Sequence, residues 1–302
     1  MTDSRSWHDD NSDLQYQHNQ LSNEDKQYAA AHLNETDENR EDAIAEMKRW
    51  IEESDDLYAR TDDFFILRFL RVCKFNTEKT KIRMRNYYKQ RLDVPEWFTN
   101  RNPFQPEMQE LLNLGVFLFL RKLDDQGRMV VIIRYSQFNP NVQKLSDLLK
   151  ISIMAMDVII KDYVPPSLYG YSVFIDLDGV TVRHLAQLHP RIVMNIVHAW
   201  QGCYPMRLRS INFINAPKYI HIGLAIFKSF MNEKLKRRLN IYKRDETMIH
   251  KCFKDIPVNI RPFEYGGTDG TIQEIIEHTK KLVEKNHDWL IDDEKYKIIS
   301  KQ

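Results

Sequence analysis

The sequence predicts an α/β protein built as an all-helical N-terminal subdomain followed by a larger sheet-containing domain. Three observations carry this. Apolar residues recur at helical spacing, behind recognisable caps, until Pro95. From about residue 115 the texture changes to short β-rich runs that alternate with long apolar helical segments. No internal repeat interrupts this order.

Taken in order, residues 1–20 are polar and acidic, and a disordered N-terminus is expected through residue 30. A helical domain over 31–100 follows. Its first helix takes Thr36 as N-cap, with Ile44, Met47 and Ile51 on one face. Its second is capped by Thr61 and is apolar from Phe64 to Val72 apart from Arg68 and Arg71, and its third begins at Asn76. Residues 101–268 form the second domain. "GVFLFLRKLDDQGRMVVIIRYSQF" reads as two strands around Asp124–Gly127, and "LSDLLKISIMAMDVIIKDYV" as a buried helix. "GYSVFIDLDG" is a strand, residues 182–205 are helical in two pieces around Pro190, and "RLRSINFINAP" is another strand. "AIFKSFMNEKLKRRLNIYKR" runs from an apolar helix through a cation cluster into the start of a strand. Residues 269–302 make a C-terminal helix, from about Thr271 to Leu290, and a tail.

The 302 residues are 42% hydrophobic and 29% charged, which is globular composition. A net charge of +1 conceals an asymmetry. Residues 1–60 hold 16 acidic and 6 basic residues, which leaves 38 basic against 27 acidic for the rest. A basic body suits an anionic partner. Three widely separated cysteines, Cys73, Cys203 and Cys252, fit free thiols in a reducing compartment and no zinc spacing. The N-terminus lacks the apolar core of a signal peptide, and no run is long enough to span a bilayer. A cytoplasmic protein that meets membranes from the water side is expected.

Phosphate-loop, dinucleotide, GxSxG and HExxH patterns are absent, so no catalytic residue, metal or cofactor is assigned. Asp176 and Asp178 stand two apart at a strand end. They suit a metal or acid/base pair, but without His or Cys companions they more simply cap the turn. His184, His189 and His198 do not share a helix face. The chain does have three strongly apolar helices, around Ile151–Ile159, Ile192–Trp200 and Tyr219–Phe230. These are compatible with a large core or with a cavity for a lipid-like ligand. The cations after the third helix lack interleaved aromatics, which disfavours nucleic acid, whereas cations beside an apolar helix suit a peripheral membrane contact.

"TDDFFILRFLRVCKFNTEK", "NYYKQR", "FIDLDG", "YPMRLRSINFINAP", "EKLKRRL" and "FEYGG" occur in one order over residues 30–290. As an ordered set they resemble the CRAL-TRIO family of cytosolic lipid-transfer proteins, including its tocopherol-transfer and retinaldehyde-binding members. The resemblance implies a CRAL-TRIO domain whose mixed, mainly parallel sheet floors a lipid pocket, with the 217–231 helix as a mobile lid. It implies Ile151, Ala155, Ile196, Trp200, Tyr204, Met206, Ile211 and Phe213 as pocket residues, with Leu224, Phe227 and Phe230 from the lid. Where tocopherol-transfer members carry pocket hydroxyls, Ile151 and Ala155 stand here, with Ser152 adjacent.

The resemblance also implies a phosphoinositide bisphosphate cleft made by Arg71, Arg207, Lys234 and Arg238, flanked by Arg209 and Lys236. Cations from distant segments can chelate a multiply charged headgroup in a way that scattered lysines cannot. The function implied is a monomeric, non-enzymatic carrier. It would bind a retinoid, carotenoid, tocopherol or similar isoprenoid and exchange it at phosphoinositide-bearing membranes. The alternative on the same fold is a phosphoinositide or phospholipid sensor or adaptor.

Overall fold

A computed structural model describes residues 21–245 and 247–299. The expected disorder of residues 1–20 lies outside the described residues. Residues 23–30, expected to be disordered, are instead helical. Helix α1 (Asn23–Leu33) starts at a Ser22–Asp25 capping box and buries Ala29 and Leu33. Helices α2 (Asp37–Glu52), α3 (Asp63–Val72) and α4 (Thr77–Asp93) complete the helical unit. Thr36 caps α2 and Asn76 caps α4, as the sequence indicates. Asp62, not Thr61, caps α3, because its side chain accepts from the Phe65 amide at 2.9 Å.

After α5 (Pro106–Asn113) comes a five-stranded sheet, ordered β2 (Phe117–Phe119), β3 (Met129–Arg134), β4 (Tyr171–Asp176), β5 (Leu208–Ala216) and β6 (Leu239–Lys243). The β2–β3 hairpin is antiparallel and the other pairings are parallel. A separate ribbon pairs β1 (Leu57–Tyr58) with β7 (Lys297–Ile298). Between β3 and β4 lie α6 (Leu145–Asp162) and α7 (Pro165–Tyr169). Between β4 and β5 lie α8 (Val182–Ala186), α9 (Pro190–His198) and one π-helical turn, Ala199–Cys203. The connection from β5 to β6 carries α10 (Ile220–Phe230) and α11 (Glu233–Lys236). Helices α12 (Met248–Cys252), α13 (Ile272–Lys285) and α14 (His287–Asp293) follow. The single C-terminal helix expected to Leu290 is therefore two, divided at Asn286.

Strand alternation gives the sheet two apolar faces. Val131, Val173, Ile175, Ile211 and Phe213 join the large core with α6, α9 and the helical unit. Val130, Ile132, Phe174 and Ile214 join a second core with Phe253, Tyr265, Ile275 and Ile276. The Asp176 carboxylate binds the ends of this sandwich together. It accepts from Tyr265 Oη at 2.6 Å, Asn215 Nδ2 at 2.8 Å and the Asp178 amide at 3.0 Å. Asp178 is exposed and pairs with Arg244 at 2.7 Å. This pair of acids is structural, and no cluster of potential metal ligands occurs among the described residues. The glycines of "FEYGG" have matching reasons. Gly266 is left-handed at φ 68°, and a Cβ on Gly267 would sit 2.0 Å from the Arg261 carbonyl oxygen.

Candidate functional site: an apolar cavity beside a cation cluster

Helix α10 leaves β5 through Asn215–Pro217, whose first residue is left-handed at φ 52°, and crosses the mouth of the large core. Beneath it is a cavity of about 150 Å³. That is roughly ten times the space one water requires, and apolar cavities stay dry. The sheet contributes Phe117, Ile133, Ile175 and Phe213 to its walls, and the π-helical region contributes Trp200, Tyr204 and Met206. The roof is Ile220, Gly223, Leu224 and Phe227, and the Phe227 ring lies stacked over Trp200 with centroids 6.2 Å apart. Tyr219 ties the start of α10 down by donating to the Val180 carbonyl at 2.5 Å. At the other end Gln201 accepts from the Asn232 amide and donates to the Phe230 carbonyl, both at 3.0 Å.

Of the residues named from the sequence, Ile196, Trp200, Tyr204, Met206, Phe213, Leu224 and Phe227 line this cavity. Ile211 lines a smaller neighbouring void with Trp200 and Met206. Ile151 and Ala155 do not line it. They are buried on another side of α6, which presents Leu148, Leu149, Ser152, Ile153 and Met156 instead. Phe230 is packed at the edge, outside the lining. Ser152 brings a hydroxyl to the wall, where it donates to the Leu148 carbonyl at 2.8 Å. Tyr135, a lining residue the sequence did not single out, donates to the His184 carbonyl at 3.1 Å.

The cations divide differently from expectation. Arg71 is not in a cleft. It is fully buried, donates to Glu35 at 2.7 and 2.9 Å and to Ser167 Oγ at 2.7 Å, and so locks the α1–α2 junction to α3 and α7. Burial opposes the Glu35 charge, yet Arg71 and Arg40 hold this carboxyl below its ordinary value. Lys236 pairs with Glu233 at 2.8 Å. Arg207, Arg209, Lys234 and Arg238 do assemble, and Lys74 and Arg83 join them. Partial burial, then Arg238, Lys74, Arg207 and Arg83, pull the Lys234 ammonium below its usual value. Burial and then Arg209 push Arg207 down to about 10, and burial and Arg209 likewise lower Arg238.

Main-chain oxygens hold this cluster in place. Arg207 donates to Leu168 at 2.5 Å, Arg209 to Tyr169 at 2.7 Å, Arg238 to Leu208, and Arg83 to Gln201 and Tyr204, both at 2.6 Å. Among the described residues no carboxylate pairs with Lys74, Arg83, Arg207, Lys234 or Arg238. Cations gathered from distant segments, with no carboxylate among the described residues paired to these five, have the electrostatics that an anion would relieve.

Residues 113–267 match the CRAL/TRIO domain family, and residues 36–108 match a Pinta-like UBA domain. The chain therefore belongs to the CRAL/TRIO family of lipid-binding and lipid-transfer proteins. Mouse Clavesin-2 is 27% identical over 250 residues, covering 82% of this chain and 75% of that one. Mouse alpha-tocopherol transfer protein-like is 28% identical over 211 residues, covering 70% and 60%. The crystal structure of Sfh5 shares the fold at a TM-score of 0.51 and 15% identity, over 80% of this chain and 92% of that one. No helix among the described residues is long and apolar enough to cross a membrane.

Proposed function

We propose that this protein is a non-enzymatic carrier that buries a hydrophobic molecule, an isoprenoid such as a retinoid, carotenoid or tocopherol, beneath α10. It exchanges this cargo at membranes bearing phosphoinositides. The observation that carries the reading is an apolar cavity roofed by α10, a helix that ends beside an uncompensated cation cluster. The two parts need one another energetically. Each cargo CH₂ removed from water contributes ~0.8 kcal/mol, so a long apolar cargo leaves slowly by itself. A membrane accelerates release only if it favours the open state. The outer face of the roof provides for that, since Ile222 on α10 is 60% exposed and Met194 on α9 is 43% exposed. Between encounters the carrier works in the cytoplasm as a monomer.

Solvent extraction of the purified full chain followed by mass spectrometry tests the cargo. A stoichiometric isoprenoid is the expected result. A stoichiometric phospholipid would make the chain a sensor or adaptor, and an empty protein would overturn the carrier. Vesicle flotation tests the cleft. Lys234→Ala with Arg238→Ala removes two cations worth ~1 kcal/mol each at an anionic surface, so binding to bisphosphorylated vesicles weakens roughly 30-fold. Binding equal to wild type would remove the cleft from the mechanism.

A further inference from the structure

The cation cluster already holds one group from outside it. Tyr28 of α1 reaches in, and its phenol oxygen accepts from the Arg209 guanidinium. The same oxygen acts on Arg207. Burial and then Arg209 lower that guanidinium to about 10, and Tyr28 is the first group that opposes them. A neutral hydroxyl in this position takes a hydrogen bond that a phosphate oxygen could take, and returns a weaker one because it carries no charge.

The helix that delivers Tyr28 is attached separately from the two main cores. Leu21, Ala29 and Leu33 pack with Leu168 of α7 in a small cluster of their own, bordered by Tyr28 and Tyr169. Tyr169 closes it by donating to Asp25 at 2.6 Å. Directly after α1 the chain turns at Asn34, which is left-handed at φ 58°, a conformation that Asn tolerates. The Asn34 side chain donates to the Lys74 carbonyl at 3.3 Å, so the turn rests on the segment that supplies a further cation. The next residue is Glu35, fully buried and paired with Arg71 at 2.7 Å and Arg40 at 3.0 Å. The chain is thus anchored immediately behind a turn. Rotation at Asn34 frees α1 and leaves Glu35, both main cores and the cavity in place.

Resting on the phosphoinositide reading of the cluster above, we propose that α1 is an autoinhibitory strap, which a membrane phosphate displaces from Arg207 and Arg209. Lys234 is exposed, and so is available to a headgroup before α1 moves. Full engagement then requires the Tyr28 oxygen to leave. The apparent affinity of the cluster is reduced by the fraction of molecules in which it has left. The strap therefore sets the phosphate density at which the protein commits to a membrane.

The test uses the full chain with phosphatidylcholine vesicles, made with or without a phosphatidylinositol bisphosphate. Tyr28→Phe keeps the ring and removes only the oxygen, so it floats with bisphosphate vesicles roughly tenfold more tightly than wild type, the worth of one hydrogen bond to a charged group. Leu33→Ala loosens the helix without touching the cluster, and it tightens binding as well. In wild type, amide exchange of residues 23–33 quickens when bisphosphate vesicles are added, while residues 63–72 keep their protection. Binding by Tyr28→Phe or Leu33→Ala that equals or falls below wild type would overturn the strap. So would protection of α1 that survives vesicle binding, or release of α1 by phosphatidylcholine alone. In each of these cases the cleft reading stands, provided that Lys234→Ala with Arg238→Ala still weakens binding. If that double variant binds like wild type, the cleft reading falls and the strap falls with it.

Discussion

Asp293 is the group whose removal should cost the most. It comes from α14 and is 0% exposed, yet it pairs with Arg60 at 2.7 Å, Arg91 at 2.7 Å and Arg101 at 3.0 Å. Arg101 goes on to Asp157 of α6 at 2.5 Å, so one carboxylate joins the C-terminal helices, the helical unit and the cavity wall. Burial alone would raise its pKa, but Arg91, Arg101 and Arg60 outweigh it and bring it down to about 2. Set against an ordinary aspartate near 3.8, this depression corresponds to roughly 2 kcal/mol of stability. Because the folded value is the lower one, this stability is fully present above pH ~4 and is lost as pH falls toward 2. Asp157 titrates in the opposite sense, since burial raises it against the pull of Arg101. The Asp293 contribution is therefore read as a difference between variants. Asp293→Asn leaves the buried Arg91 and Arg101, and the half-buried Arg60, short of one charge and should lower stability at pH 7 by ~3–5 kcal/mol. Urea unfolding at pH 7 and at pH 3 measures both effects, with the gap between wild type and variant narrowing at the lower pH. A loss below ~1 kcal/mol at pH 7, or a gap independent of pH, would refute the reasoning.

Two further outcomes concern the roof helix. Ile222→Glu changes an exposed side chain, so folding stability moves by less than ~0.5 kcal/mol. Vesicle co-sedimentation should nonetheless weaken about tenfold or more, because burying an Ile side chain is worth ~1.5–3 kcal/mol; unchanged binding would take α10 out of the membrane contact. Gln201→Leu removes both hydrogen bonds that hold the end of α10, each worth ~0.5–1.5 kcal/mol. Amide exchange across residues 220–232 should rise and cargo exchange quicken about fivefold or more; protection equal to wild type would show that Gln201 is not a latch.

Which features were legible in the sequence follows the range of the interaction behind them. Thr36 and Asn76 cap helices through hydrogen bonds three residues away, and the β2–β3 hairpin is closed by its own turn, so local pattern sufficed. Helix α1 escaped because its stability is not in its periodicity. A capping box starts it, and Tyr28 holds it by packing on Tyr169 with centroids 4.5 Å apart. The phase of α6 was illegible for the opposite reason. Ile151, Ile153, Met154, Ala155, Val158 and Ile159 are all buried, and a helix apolar all round gives no sign of which stripe faces a cavity. Arg71 could be aligned with a cleft by its motif alone. Its partner Glu35 is 36 residues away, and nothing local reveals that the pair closes internally. Lys74, three residues beyond, is the cation from that segment that reaches the cluster.

The placement of Arg83 explains how one surface event could reach the cavity. Its guanidinium holds the carbonyls of Gln201 and Tyr204, the first of which clamps the end of α10 while the second lines the cavity. The same guanidinium acts electrostatically on Lys234. An anion that drew Lys234, Arg238 and Arg207 together would compete for the positive charge that now steadies the π-helical turn. It would therefore strain the Gln201 clamp from outside while leaving the Tyr219 anchor at the far end of α10 untouched. Opening would then begin at Phe230 and proceed toward Ile220, lifting Phe227 from Trp200 before Leu224 is uncovered. On the proposed carrier reading, release in that order would need no motion of the sheet, whose parallel strands and Asp176 tie form the floor.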